Sequence, residues 1–280
     1  MQLQKAERKQ AVIKLALQGP SGSGKTYSSL LMANGLVGNW NQIAVIDTEN
    51  NSSHLYSHLG NFNVLSLSEP FSPERYVEAI ETCQKAGMKA IIIDSISQEW
   101  EGNGGIIESH GNMAGNSFTN WNKVTPRHNA FVQKMLQSPC HIIVTIRSKQ
   151  DYVLTDKNGK MVPEKVGLKG VTRDGMDYEF TVVLDLDIKH QATASKDRTG
   201  LFINPLPFLV SEQTGNKIKI WCLGEDLIKN VELQINEAQT LQDLRNILLK
   251  YPTLRVKIES LCMQRKNEIE GVVTDPVVNP

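Results

Sequence analysis

Residues 15–31, LALQGPSGSGKTYSSLL, leave this chain few folds to choose from. An apolar run leads into G-x-x-x-x-G-K-T, Gly19 to Thr26, and a helical pattern follows it. Strand, tight glycine-rich loop and helix in that order make a phosphate-binding loop. Glycines 19, 22 and 24 let the backbone curl so that its N–H groups face phosphate oxygens. The helix behind the loop offers the same anion its positive N-terminal end. The residues expected around a nucleotide are Gly19, Pro20, Ser21, Gly22, Ser23, Gly24, Lys25, Thr26 and Tyr27. Lys25 is the cation for the β- and γ-phosphates, and Thr26 supplies a hydroxyl to Mg²⁺. ATP and Mg²⁺ are therefore the expected cofactors.

Short apolar runs recur at 12–18, 43–47, 63–67, 90–94 and 141–146, separated by helical patterns at 25–37, 73–87 and 118–137. That alternation predicts an α/β domain with a mainly parallel sheet. Ser72 and Pro73 read as the N-cap and first position of the second helix. The Gly- and Asn-rich stretch 100–120 reads as a mobile loop, and 152–166 as a hairpin around Asn158-Gly159 or a mobile loop. YEFTVVLDLDIKHQATAS alternates as exposed-edge antiparallel strands do, and GNKIKIWCL reads as one more short strand. The expected division is a basic segment at 1–11, the α/β core at 12–223, a helical segment at 224–270 and a disordered tail at 271–280. Thr240 is a cap candidate and Pro252 a break within the helical segment.

Charge gives the chain no global pull towards nucleic acid or membrane, since Lys+Arg 30 balances Asp+Glu 30. The four cysteines are far apart, with no CxxC pair, as expected of buried thiols in a reducing compartment. No run of about 18 apolar residues is present to span a bilayer. The start, MQLQKAERKQAVIKLALQG, lacks the apolar core of a signal peptide. A cytoplasmic protein with no membrane partner is the expectation.

Two carboxylates complete a hydrolytic site. Asp94 ends the strand run AIIID, where it can hold a water of the Mg²⁺ shell or cap the next turn. Many such ATPases place a glutamate directly after this aspartate, but here Ser95 follows. IAVIDTENN ends another strand with Asp47 and Glu49, and ligands of open α/β sheets lie beyond the carboxyl ends of strands. Glu49 is the candidate to deprotonate water, against the plainer reading of a surface acid at a strand end.

Taken together, the P-loop, IDTE, IIIDS, a loop with a long helix, and IIVTIR resemble the core of the RecA family of recombinases and motors. VGLKGVTRDGMDYEFTVVLDLDIKHQATASKDRTG (166–200) is similar to the AAA-type ATPases of phages related to Sak single-strand-annealing proteins. The likeness covers about residues 12–222 and leaves the C-terminal helical segment out. It implies a RecA-like P-loop core with antiparallel strands at its C-terminal edge and the catalytic glutamate at the IDTE strand end. It also implies ATP hydrolysis coupled to assembly on single-stranded DNA, as a homo-oligomeric ring or filament with active sites between subunits. Lys196 and Arg198 match the cations that complete a neighbour's site; a basic turn on a solvated edge is the alternative. Arg147 is a candidate γ-phosphate sensor within the subunit, where RecA itself usually shows glutamine.

For DNA, the segment 148–176 carries Lys149, Lys157, Lys160, Lys165, Lys169 and Arg173, with Tyr152 to stack on bases. It also holds acids, so a solvated hairpin stays open as an alternative. A single-strand-binding protein is a further partner candidate in phage or prophage recombination. The rival readings are a P-loop small-molecule kinase with 148–176 as its lid, and a slow ATPase adaptor of a phage replisome. A GTPase would need an N-K-x-D motif, which WNKVT does not provide.

Overall fold

The computed structural model describes residues 11–157, 160–203 and 206–271; the side chains at 152–157, 160–166, 225, 226, 253 and 256 lie outside the description. The described residues form two compact units, Val12–Gly215 and the chain from Asn216 onward together with Ala11.

The first unit opens with β1 (Lys14–Gly19), α1 (Lys25–Val37), β2 (Ile43–Asp47) and β3 (Asn63–Ser66). It continues with α2 (Pro73–Lys85), β4 (Ala90–Asp94), α3 (Ser97–Glu101), α4 (Ile106–Gly111) and α5 (Ser117–Leu136). Then come β5 (His141–Lys157), β6 (Lys160–Gly170), β7 (Val182–Leu186), β8 (Gln191–Asp197), β9 (Phe208–Leu209) and the start of α6 (Glu212–Leu223). The sheet runs β3-β2-β4-β5-β1-β7-β8-β9, with β6 paired to β5. It is parallel from β3 to β7 and antiparallel beyond.

Strands buried on both faces need continuous apolar runs rather than alternation. IAVID and AIIID are such runs, and every residue of both is buried. One face joins Ala44, Ile46, Ile91, Ile93, Ile142 and Val144 to Tyr76 and Ile80 of α2 and Phe131 and Met135 of α5. The opposite parity, Leu15, Leu17, Val45 and Ile92, is buried on the side of α1 with Leu30, Ala33 and Leu36. Register then aligns the carboxyl ends: Gly19 lies beside Arg147, and Asp47 beside Asp94. Three loops that could carry chemistry thus open at one edge.

Several expectations are corrected. Residues 100–120 are mostly helical, because Ile106 and Trp100 anchor α3 and α4 against α5; the glycines serve the turns between them. GNKIKIWCL belongs to helix α6: Thr214, Ile218 and Cys222 are buried at a spacing of four, which outweighs the local I-K-I alternation. Gly215 sits so close to α1 that a Cβ would lie 2.1 Å from the Met32 carbonyl oxygen. β7 is an interior strand between β1 and β8, not an edge. Ser72 holds the N-cap position of α2, but its side chain makes no capping bond. The hairpin reading of 152–166 holds, as β5 and β6 pair antiparallel; its tip, 158–159, lies outside the described residues, as do 1–10 and the tail 272–280.

Lys14 is the odd member of the core. It is buried, and its ammonium donates to the carbonyls of Ser138 and Cys140, 2.7 Å each, just past the end of α5. Burial pulls its pKa down from 10.5 to about 8. Between those values the unfolded chain binds the proton that the folded one has released, so stability rises with pH across that window. We expect the wild type to gain up to about 3 kcal/mol between pH 8 and 10.5 relative to Lys14→Met. Urea unfolding of both proteins at the two ends of the window checks this, and parallel pH profiles would refute it.

The second unit holds α7 (Glu225–Glu237), α8 (Leu241–Lys250) and α9 (Arg255–Glu270). Thr240 caps α8 in a reciprocal capping box with Asp243, and a short turn begins at Pro252. Val231, Ile235, Leu244, Leu254 and Ile258 build its own small core. All four cysteines of the chain are buried and unbridged. No helix among the described residues is long and apolar enough to cross a membrane.

Candidate nucleotide site

The P-loop stands at the carboxyl end of β1, between β5 and β7. Gly24 adopts φ 84°, and a Cβ there would meet His190 Nδ1 at 3.0 Å, so both conformation and space ask for glycine. The first N–H groups of α1 have no intrahelical acceptor, and the first residues of α1 line the cleft above the loop. That cleft measures about 930 Å³ and is lined by Ser21, Gly22, Gly24, Lys25, Thr26 and Tyr27 from the loop and helix. Glu49, Asp94 and Arg147 line it as well. The convergence of β1, β2, β4 and β5 brings Lys25, Thr26, Glu49, Asp94 and Arg147 to one cleft.

Lys25 donates to the carbonyls of Gly19 (3.0 Å) and Pro20 (2.9 Å). Burial lowers its pKa, and the nearby Asp94 and Glu49 carboxylates pull it back up. Thr26 Oγ1 donates to Asp94 Oδ2 at 2.6 Å, and Thr145 Oγ1 donates to the other oxygen. Asp94 is 3% exposed, and burial holds its carboxyl above the usual carboxylate range. A hydroxyl and a buried carboxylate in contact, next to the P-loop, fit a hydrated Mg²⁺. Ser23 Oγ is buried and has no hydrogen-bond partner among the described residues, as a donor awaiting a ligand would be. The residues present fit a magnesium nucleotide.

Glu49 is three-quarters buried at the end of β2. Arg147 grips it in a fork, Nε to Oε1 at 2.9 Å and Nη2 to Oε2. Ser95 Oγ donates to Oε1 at 2.9 Å. Asp47, two residues earlier, is taken up by backbone instead: it accepts from the N–H groups of Glu49 and Ser53, 2.8 Å each. Of the two acids in IDTE, only Glu49 is presented to the cleft.

The sequence reading missed a second set of lining residues. Tyr56 meets Tyr27 edge to face at 5.9 Å, and His190, Leu209 and Val210 close the cleft on the other side. Their signal was weak because each comes from a turn or short element remote in sequence. His190 is the clearest trace, a non-glycine residue at φ 64° in the β7–β8 turn.

A family model described as an AAA domain matches residues 11–206. The chain belongs to the AAA domain family. The matched span covers the P-loop, Glu49, Asp94, Arg147 and His190 of the cleft and stops before Leu209, Val210 and α6. As an AAA domain, the first unit is a nucleotide-binding ATPase core with RecA-like α/β architecture. No curated protein matches the chain.

The remaining site candidates lie outside this cleft. In the AAA domain, Lys196 pairs across from Val183, away from the P-loop end of the sheet. Its ammonium donates to the carbonyls of Asp177 (2.8 Å) and Tyr178 (2.6 Å), and Arg198 donates to Tyr178 at 3.2 Å. Asp197 ties the turn that follows by accepting from the N–H groups of Thr199, Gly200 and Phe202. Lys196 shares a second cleft of about 370 Å³ with Lys169 and Arg173. Residues assigned to two tasks from sequence are neighbours in space. Lys169 is paired to Asp174 at 2.7 Å and Lys149 reaches Glu101 at 3.8 Å. Across the hairpin, Lys149 stands opposite Lys169 and Tyr152 opposite Lys165. The side chains of Tyr152, Lys157, Lys160 and Lys165 lie outside the described residues.

Proposed function

We propose that this chain is a Mg²⁺-dependent ATPase that acts on single-stranded DNA as a homo-oligomer in phage or prophage recombination. The observation that carries the ATPase part is the convergence of Lys25, Thr26, Asp94 and Glu49 on one cleft. Thr26 and Asp94 would hold Mg²⁺, which would supply charge neutralisation to the phosphates. Lys25 and the α1 N-terminus hold the phosphates in line. Glu49 takes a proton from water as the water oxygen bonds to the γ-phosphorus and the bond to the β–γ bridging oxygen breaks. ADP leaves with that electron pair, and Glu49 returns its proton to solvent.

Glu49 is engaged by Arg147, so hydrolysis requires that the guanidinium move away. The γ-phosphate is the natural competitor for it, which gives Arg147 its role as sensor. The same ion pair favours a second reading, a slow ATPase adaptor of a phage replisome that rarely frees its base. DNA separates the two: the recombination reading expects turnover to rise with single-stranded DNA, and the adaptor reading expects no change.

Lys149, Lys169 and Arg173 with the rest of the hairpin are the proposed contacts to the strand. Because formal charge on the chain sums to zero, strong binding needs several subunits on one strand. Lys196 and Arg198 are not among the residues that line the cleft of their own subunit, which supports a role at phosphate in trans. We expect Lys196→Ala and Arg198→Ala to cut turnover about a hundredfold or more while keeping ATP binding. Mixing either with Lys25→Ala protein restores activity in hybrid assemblies. Restoration measured by phosphate release supports fingers in trans; its absence at concentrations where the wild type assembles rejects them.

A further inference from the structure

The serine that replaces the usual glutamate after Asp94 is built into the site more firmly than a turn residue needs. Ser95 is 1% exposed. Its N–H donates to Thr48 Oγ1 at 2.8 Å, and its carbonyl accepts from the Tyr76 hydroxyl at 3.0 Å. Thr48 is itself buried and donates to the Asp94 carbonyl at 3.0 Å. Tyr76 is fully buried and leans on Phe131, ring centroids 5.2 Å apart. The backbone of Ser95 is thus bracketed from β2 and α2. Its hydroxyl is left with one partner among the described residues, the Glu49 carboxylate at 2.9 Å.

Two donors therefore converge on Glu49 Oε1, Ser95 Oγ and Arg147 Nε, while Oε2 meets Arg147 alone. They differ in rigidity. Arg147 is a long side chain, 41% exposed, and is free to swing to a phosphate. Ser95 has a single rotor on a locked backbone. When Arg147 leaves, Oε2 is released towards the cleft and Oε1 stays tethered. We propose that Ser95 is the positioning residue of the catalytic base: its hydroxyl holds Oε1 so that Oε2 faces the attacking water. This rests on the reading of Glu49 as the base. It also explains why a serine can follow the metal aspartate here, since the position serves the displaced glutamate instead of supplying one.

The test uses the full chain over a range of Mg²⁺·ATP concentrations, with and without single-stranded DNA, scored by steady-state phosphate release. Ser95→Ala is expected to lower kcat about tenfold to a hundredfold, the usual cost of losing a hydrogen bond to a charged group, with KM for ATP unchanged. Introduced into Glu49→Gln, the same substitution is expected to change nothing further, because the group it positions is gone. Ser95→Cys, of similar size but a weaker donor, falls between the two. Unchanged melting and ADP binding show that the fold is intact; if Ser95→Ala melts early, Ser95→Cys carries the comparison. An equal loss in both backgrounds, or full kcat in Ser95→Ala beside an inactive Glu49→Gln, overturns the positioning role while leaving the base in place. Full turnover in Glu49→Gln alone removes the base, and the positioning role with it.

Discussion

Glu49→Gln is expected to lower ATP turnover by about 10²–10⁴-fold while leaving nucleotide affinity near the wild-type value. The amide keeps the size of the side chain and one acceptor oxygen for Ser95 and Arg147, so the pocket wall stays in place. What it loses is the ability to take a proton from water. The P-loop, Lys25 and the Thr26–Asp94 pair, the proposed contacts to ATP, are untouched. The substitution also replaces a forked ion pair by at most one neutral hydrogen bond, which frees Arg147. The expected protein binds ATP and traps it. Fluorescent-nucleotide binding beside phosphate release reads both halves at once. Full turnover would mean that water is activated elsewhere in the cleft.

Asp94→Asn is expected to do two opposite things. Turnover falls about a hundredfold or more, because the carboxylate that shares the metal site with Thr26 is gone. Stability without ligand rises. Burial holds the Asp94 carboxyl above its ordinary range, so at neutral pH the ionised group costs the folded state more than the unfolded one. That cost fades as pH falls towards the protonated range, and a neutral amide removes it at every pH. The hydroxyls of Thr26 and Thr145 can turn to meet the new group, since each is both donor and acceptor. Adding Mg²⁺·ATP then reverses the order: the wild type gains stability by binding, and the variant gains little. Calorimetry with and without Mg²⁺·ATP gives four melting temperatures. A variant that melts below the wild type in the absence of ligand would show that the buried charge is well compensated as it stands.

The parts of this molecule legible in sequence are those whose signal is local. The P-loop, the buried runs IAVID and AIIID, and helix α1 depend on residues within one turn or strand of each other. The bounds of α1 and β4 agree with the sequence reading to the residue. Glu49 becomes the candidate base from sequence because Ser95 stands where a glutamate is usual and a second strand run ends in IDTE. What local pattern hid is long-range. Arg147 and Glu49 are 98 positions apart, and no run of residues announces that they meet. Residues 100–120 looked like a loop because glycine and asparagine dominate the composition, while the stacking of Trp100 on Trp121 that orders them spans 21 positions. GNKIKIWCL satisfies a strand pattern through its I-K-I triplet, whereas the helix that claims it starts upstream of the window at Glu212 and buries Thr214, Ile218 and Cys222 on one side.

Strand β5 has one further property. Thr145 binds Asp94, Arg147 binds Glu49 and Lys149 approaches Glu101, at steps of two along one continuous strand. Alternation puts all three on the same side of the pleat. The pairing with β6 stays regular to Asp151 and slips only between Asp151 and Tyr152. The strand is therefore a ruler with a fixed part and a free part. A single insertion or deletion between Thr145 and Lys149 would turn some of these side chains to the opposite face and uncouple metal, base and hairpin in one step. Beyond Asp151, length can change without disturbing what lies below. The spacing from Thr145 to Lys149 thus sets the positions of three carboxylate contacts at once.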